Sequence, residues 1–165
     1  MPSFRPAKAF SLIELLLVAV LLSVLAGLAA PQFSKTYATF QLKETAANIA
    51  YLLRYAQGRS VVKNKKHQFQ FSPDYLQYWL EEEQSSGENP AGSEVFFSLI
   101  PGRLGRISSV PEGVTITSDR FSIVFTPDGK IDKTKIEFQG KNGGVFTILT
   151  FAQTGYVQVL DFKIP

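Results

Sequence analysis

The 165-residue chain contains no cysteine. Disulfides, thiolate-held metals and cysteine nucleophiles are thereby excluded. The absence is compatible with an oxidising compartment but does not establish one. Histidine occurs once, at His67. No site that needs two imidazoles, such as HExxH, can therefore form, and His67 has no motif around it that would support Ser/His/Asp catalysis. An excess of charge of one sign is lacking too: 17 Lys and Arg stand against 14 Asp and Glu. Arg5 and Lys8 lie ahead of the first apolar run, and without them 15 basic residues face 14 acidic ones. The pI near 9.1 is thus weak ground for a nucleic-acid partner. The chain shows no internal repeat and no second domain boundary.

The apolar residues are concentrated in one place. Phe10 to Ala30 reads FSLIELLLVAVLLSVLAGLAA, 21 residues with Glu14 as the one ionisable group. As a helix this run is about 32 Å long, close to the roughly 30 Å hydrocarbon core of a bilayer. Arg5 and Lys8 on its N-terminal side favour a cytoplasmic N-terminus, with the rest of the chain across the membrane. A cleaved signal peptide would use LAGLAA as its small-residue site, but the run is longer than usual. A signal anchor fits the length. Neither accounts for Glu14, since a carboxylate inside an apolar helix is costly and usually marks function. The plainer alternative puts Glu14 at the membrane surface, protonated and without a role.

After Pro31 a helical pattern resumes. Leu42, Ala46, Ile49, Leu52, Leu53, Ala56 and Ser60 recur at helical spacing and form a core-facing stripe. The spacing predicts one long helix from about Phe10 to Lys63. Tyr37, Phe40, Tyr51 and Tyr55 read as packing residues in preference to a ligand cage. Beyond Lys66 the period changes to two. HQFQFS, with Phe69 and Phe71 on one face, and YLQYWLEEE flank a Pro73-Asp74 turn as a hairpin. VFFSLI, GVTIT, FSIVFT, KIEFQ, VFTILTFA and YVQVLDFKI are further strands, separated by turn-forming PDGK, GKNGG and QTG. The layout predicted is α+β: a long N-terminal helix packed by its second half on an antiparallel sheet.

The segment KAFSLIELLLVAVLLSVLAGLAAP resembles the N-terminus of class III prepilins, the family of type IV pilins and type II secretion pseudopilins. The parts are a basic leader Pro2 to Ala9, then Phe10, Ser11, Leu12, Ile13, Glu14, an apolar helix and Pro31. The resemblance implies that a prepilin peptidase cuts between Ala9 and Phe10 and that the new Phe10 amine is methylated. Ala9 stands where the family usually has Gly. The implied organisation is a leader over 1–9, a transmembrane or filament-core helix over 10–30, and a periplasmic α+β domain over 31–165. The chain would sit in the inner membrane, single-pass, before entering a filament with other pilin or pseudopilin subunits through an inner-membrane assembly platform. No cofactor and no enzymatic activity are implied. LLRYAQGRSVVKNK, FSIVFTPDGKI and TGYVQV add a resemblance to the GspH/FimT subfamily of minor pseudopilins and minor pilins.

On this reading the cleaved Phe10 amine opens a helix with no room for a cap. Glu14 would pair with the amine of a neighbouring subunit, because a charge left alone in a low-dielectric bundle costs several kcal/mol. Pro31 removes a backbone donor and is expected to kink or loosen the helix, and Gly27 one turn earlier adds flexibility. Other candidate chemistry is thinner. Glu81, Glu82, Glu83, Glu88 and Glu94 alternate faces without calcium-loop spacing, which favours a solvated face over a cation site. Asp119, Asp128, Asp132 and Asp161 form no compact cluster in sequence, and Asp128-Gly129 reads as a hairpin turn. Arg59, Lys63, Lys65, Lys66 and His67 form a basic run. Lys63, Lys65 and Lys66 in it are candidates for contact with nucleic-acid phosphate or phospholipid, although cations also suit a helix C-terminus on their own account.

Overall fold

The computed structural model describes residues 10–85 and 95–163; the side chains of 28–33, 85 and 95 are not described. The expected leader with Ala9, and Glu88 and Glu94, lie outside the described residues, as does the side chain of Pro31. Two compact units are present, Met1–Tyr37 and Ala38–Pro165.

Helix α1 spans Leu12–Lys63. Its start is set by Ser11, whose hydroxyl accepts from the Glu14 N–H at 3.3 Å while its carbonyl accepts from Leu15 N–H at 3.2 Å. Ser11 is therefore an N-cap and Glu14 the third helical residue, the Ser-x-x-Glu arrangement of a capping box. The expectation of an uncapped start is corrected: the helix begins two residues after Phe10, which leaves room for the cap. The assignment is unbroken through residue 31. The end is a Schellman closure. Asn64 adopts φ 51°, its N–H bonds Val61 O, and Lys65 N–H bonds Ser60 O. Asn tolerates this left-handed position better than most residues.

Within the second unit the expected stripe is buried. Leu42, Ile49, Leu53 and Ala56 are fully enclosed, with Ala46, Leu52 and Ser60 beside them. Each Leu or Ile so placed contributes about 2 kcal/mol of transfer free energy. The strands are β1 (His67–Phe71), β2 (Gln77–Ser85), β3 (Val95–Leu99), β4 (Ser108–Ser109), β5 (Val114–Ser118), β6 (Ser122–Phe125), β7 (Thr134–Gly140), β8 (Val145–Phe151) and β9 (Tyr156–Leu160). They form two antiparallel sheets where the sequence suggested one. The first runs β3-β2-β1-β6 with β4 also on β2; the second runs β5-β7-β8-β9. The strand candidates all form. The two-residue β4 and a 3-10 turn at Arg103–Gly105 are additions too short to carry a periodic signal. In the β1–β2 hairpin Phe69 faces Leu80 and Phe71 faces Tyr78. All four side chains enter the core, as the period-two pattern requires.

Polar bonds fasten α1 to both sheets and to the turns between strands. Arg54 donates to Val157 O of β9 at 3.0 Å, Gln57 to Gly129 O at 3.1 Å, and Ser60 to Thr126 O at 3.1 Å. Of the aromatic residues read as packing residues, Tyr37, Phe40 and Tyr51 are exposed and Tyr55 is half-buried. Gly155, in the β8–β9 turn, has φ 64°, and a side chain there would overlap the Gln57 amide and the Gly129 carbonyl. Gly155→Ala thus combines left-handed strain with a backbone clash. It is expected to destabilise the chain by about 2–4 kcal/mol. Chemical denaturation in mild detergent, followed by near-ultraviolet circular dichroism, measures this. Unchanged stability would show that the turn moves freely away from α1.

Candidate assembly site

In the first unit the large apolar side chains from Phe10 to Leu25 are exposed. Leu12 is 82% exposed, and no Leu, Ile or Val from Leu12 to Leu25 is less exposed than Val18, at 44%. Contiguous apolar surface of this kind marks a site that lipid or protein covers. Ser23, the one hydroxyl inside the run after Ser11, donates back to Ala19 O at 2.8 Å and so carries its own acceptor. Glu14 is exposed, and among the described residues it makes no ion pair. Glu14 lies in the first, capped turn of α1, and the exposed Phe10 immediately precedes the cap residue Ser11. Among the described residues no helix is long and apolar enough to cross a membrane. The described side chains of this run stop at Gly27, whereas the apolar sequence continues to Ala30.

The same helix has a second apolar face farther along. By helical spacing Phe40, Ala47, Tyr51, Gly58 and Val62 lie opposite the buried stripe. Phe40 and Tyr51 are more than half exposed, and Val62 is 82% exposed. Glu44 is the one charge among the positions that look directly away from the core. A helix face turned to water would normally be polar, so this one also invites cover.

The basic run is less free than its sequence suggested. Glu82 is buried, contrary to the expected solvated face. Its carboxylate lies 3.2 Å from Arg59 Nη2, 3.7 Å from Lys65 Nζ and 3.3 Å from His67 Nε2. Arg59 also donates to the Tyr55 hydroxyl at 2.8 Å. Lys66 pairs with Glu83 at 4.0 Å, and Glu83 accepts from the Lys66 N–H. Lys63 stands exposed at the end of α1. Two of the three candidate phosphate ligands are therefore already matched to carboxylates.

His67, to which the sequence assigned no role, is fully buried. Its Nδ1 sits 3.2 Å from Lys65 O, while Nε2 approaches Glu82 without hydrogen-bond geometry and has no other partner. Burial, the largest influence, pushes the imidazole below its ordinary range, outweighing the Lys65 carbonyl and the Glu82 charge. Burial would raise the Glu82 carboxyl. The Arg59 hydrogen bond, with the charges of His67, Arg59 and Lys65, outweighs it and holds the group below the usual carboxylate range. The signals for these residues were a Ser-x-x-Glu pattern at Ser11 and a hairpin register that sets His67 opposite Glu82.

The chain carries a methylation-motif segment and a fold shared with solved pilin-like structures. The model of the prokaryotic N-terminal methylation motif matches residues 4–30. The fold is shared with the minor pseudopilin EpsH from the type 2 secretion system of Vibrio cholerae. One structure of it gives a TM-score of 0.58 at 8% identity, covering 73% of this chain and 97% of that one. A second gives 0.54 at 9%, covering 73% and 95%. The type IV minor pilin FimU of Pseudomonas aeruginosa PAO1 gives 0.50 at 16%, covering 74% and 90%. No curated protein sequence matches the chain.

The ion cluster makes a pH dependence explicit. His67 has a folded pKa below its unfolded value, so the unfolded state binds the proton more readily. Stability is full above the unfolded value near 6.5 and falls as pH drops below it. The depressed Glu82 adds a second loss below its unfolded value near 4.5. The melting temperature is expected to fall between pH 7.5 and 5.5, and His67→Gln should flatten that limb. Glu82→Gln should cost about 2 kcal/mol at pH 7, less than a fully buried pair because Arg59 keeps 22% exposure. A wild-type melting temperature that is flat across this range would refute the assignment.

Proposed function

We propose that the chain is a minor pseudopilin, a structural subunit of a type II secretion pseudopilus that supports protein export. The observation that carries this reading is the uncovered apolar start of α1, with Phe10 just before it and Glu14 in its first turn, within the methylation-motif segment. A prepilin peptidase removes residues 1–9 by cutting between Ala9 and Phe10, and Phe10 becomes N-methylated. The helix over 10–30 holds the chain in the inner membrane with its N-terminus cytoplasmic and the domain over 31–165 periplasmic. An inner-membrane platform then passes the chain into the filament, where neighbouring subunits cover the apolar run.

Glu14 pairs with the Phe10 amine of a neighbour and so fixes axial register. Bringing either charge alone into the bundle costs several kcal/mol, whereas the pair removes both deficits. Pro31 has no N–H to give to Gly27 O, which loosens α1 at that point. The exposed face through Phe40, Tyr51 and Val62 extends the surface available to neighbours. No nucleotide-like or catalytic constellation is needed for this work; the mechanism is assembly.

The second reading is a minor pilin of a type IV pilus, favoured by the fold shared with FimU. A role in DNA uptake through Lys63, Lys65 and Lys66 is the less favoured form of it, because Glu82 and Glu83 already neutralise two of these cations. Loss of the gene should abolish export on the first reading and pilus-dependent motility on the second.

Mass spectrometry of the mature chain should show an N-terminus at Phe10 one methyl group heavier than the unmodified residue. Ala9→Gly should speed this processing. Glu14→Ala should leave a stable, processed membrane protein whose filament fraction falls about tenfold or more, given the size of the uncompensated charge. A start at Met1, or after Ala30, would remove the pilin reading. Unchanged incorporation of Glu14→Ala would remove the pairing alone.

A further inference from the structure

A polar cleft in the second unit is not used by any step of assembly described above. It holds about 210 Å3 and opens between α1, β2, β4 and the 3-10 turn. Asn48, Tyr51 and Leu52 of α1 line it with Tyr78 of β2, Ser108 of β4, and Arg103 and Leu104 of the 3-10 turn. Tyr78 is a buried side chain on β2 and stands opposite Ser108 in the strand register. No carboxylate lines the cleft.

Tyr78 hydrogen-bonds Ser108, and the other polar groups of the cleft are uncommitted. Among the described residues Arg103 makes no ion pair and no hydrogen bond, and the polar ends of Asn48 and Tyr51 likewise have no hydrogen-bond partner. The position of Arg103 is nevertheless constrained. Gly105, two residues on, is buried, and a side chain there would overlap the Ile100 carbonyl, so the turn is seated against the end of β3. An unpaired guanidinium beside free amide and hydroxyl groups, in a cleft also lined by Leu52 and Leu104, matches the planar two-oxygen geometry of a carboxylate. The charge balance narrows the choice. Glu44, one helical turn before Asn48, acts electrostatically on Tyr78 from the same side. One cation with one nearby anion suits a monoanion bound at Arg103, and disfavours phosphate dianions and polyanions. The volume equals that of about seven water molecules in the liquid.

We propose that this cleft binds a short aliphatic carboxylate, with the carboxylate on Arg103, its free edge toward Asn48 and Tyr51, and its carbon chain on Leu52 and Leu104. Two sources present this group: a free branched-chain acid, or the carboxyl terminus of a peptide ending in an aliphatic residue.

The test is a nuclear magnetic resonance titration of the full chain in detergent. Isovalerate, which has seven heavy atoms, is compared with its neutral isostere isovaleramide. N-acetyl-Gly-Leu is compared with its C-terminal amide. Isovalerate should give saturable shifts in the amides of 48–52 and 102–108, and isovaleramide should bind about tenfold or more weakly, the usual margin of a charge-assisted bidentate contact. Arg103→Gln should weaken isovalerate to the level of the amide while leaving the melting temperature unchanged, since Arg103 is exposed. Tighter binding of the free-acid peptide than of isovalerate assigns the site to peptide termini; weaker binding assigns it to free acids. Absence of shifts with isovalerate, equal binding of acid and amide, or an Arg103→Gln titration like wild type would each overturn the proposal. Assembly through Glu14 would stand in any of these cases.

Discussion

The governing constraint is apolar surface that the chain cannot cover by itself. From Leu12 to Leu25 the large apolar α1 side chains are exposed all round a single helix. At roughly 25 cal/mol per Å2, an exposed run of this length is untenable in water. Whatever covers it must be present in quantity, long and continuous, which describes a bilayer or a bundle of similar helices. The rest of the chain solves the opposite problem. It closes a core with α1 on one side and two antiparallel sheets on the other, and leaves one face of α1 apolar and outward. Both halves of the helix thus share a need for cover while differing in what the chain supplies.

A cluster of charges positions the end of α1. Arg59 and Lys65 converge on Glu82, which is buried among them, and His67 completes the group from β1. A buried ion cluster is weak ground for stability in general, since desolvation offsets most of the Coulomb attraction. Its value here is positional. It matches the last turn of α1, the Schellman closure at Asn64 and the first residue of β1 to a single carboxylate on β2. A one-residue slip in the hairpin would turn His67 and Glu82 to the opposite face and strand both. The cluster therefore makes the register of the first sheet costly to change.

Much of this was legible in the sequence because it is periodic. The stripe Leu42, Ala46, Ile49, Leu53, Ala56 is a helix whatever it packs on, and Phe69 and Phe71 share a face in any strand. The turns at Gly129, Gly143 and Gly155 were equally readable, because each needs a left-handed residue. What escaped was pairwise. Glu82 looked solvated because three consecutive glutamates alternate faces on a strand and nothing local says which face is inward. The register settles it: a hairpin centred between Asp74 and Tyr75 places Glu82 against His67. Tyr37, Phe40 and Tyr51 were misplaced for the reverse reason. An aromatic residue reads as a packing residue wherever it stands, yet their helical phase sets these three opposite Leu53. The cleft around Arg103 had no sequence signal, since its lining comes from four elements and two of those are too short to show a period.

The cap at Ser11 changes how the proposed Glu14 pairing has to work. As third residue of a capped helix, Glu14 lies at the N-terminal end of the macrodipole, where a negative side chain is typically worth about 0.3–1 kcal/mol. In a membrane-bound monomer with its N-terminus near the headgroups, that is enough to keep the turn formed and the charge in place. It is not enough inside a helix bundle, where an unpaired carboxylate costs several kcal/mol. The cap therefore prepares Glu14 without satisfying it, and the difference between the two magnitudes is the free energy that a neighbour's amine has to supply. A subunit that slid into the bundle at the wrong height would leave the carboxylate with its cap alone. On the proposed reading, register follows from that shortfall: the apolar surface of α1 drives association at any height, and the single charge makes one height cheaper than the rest.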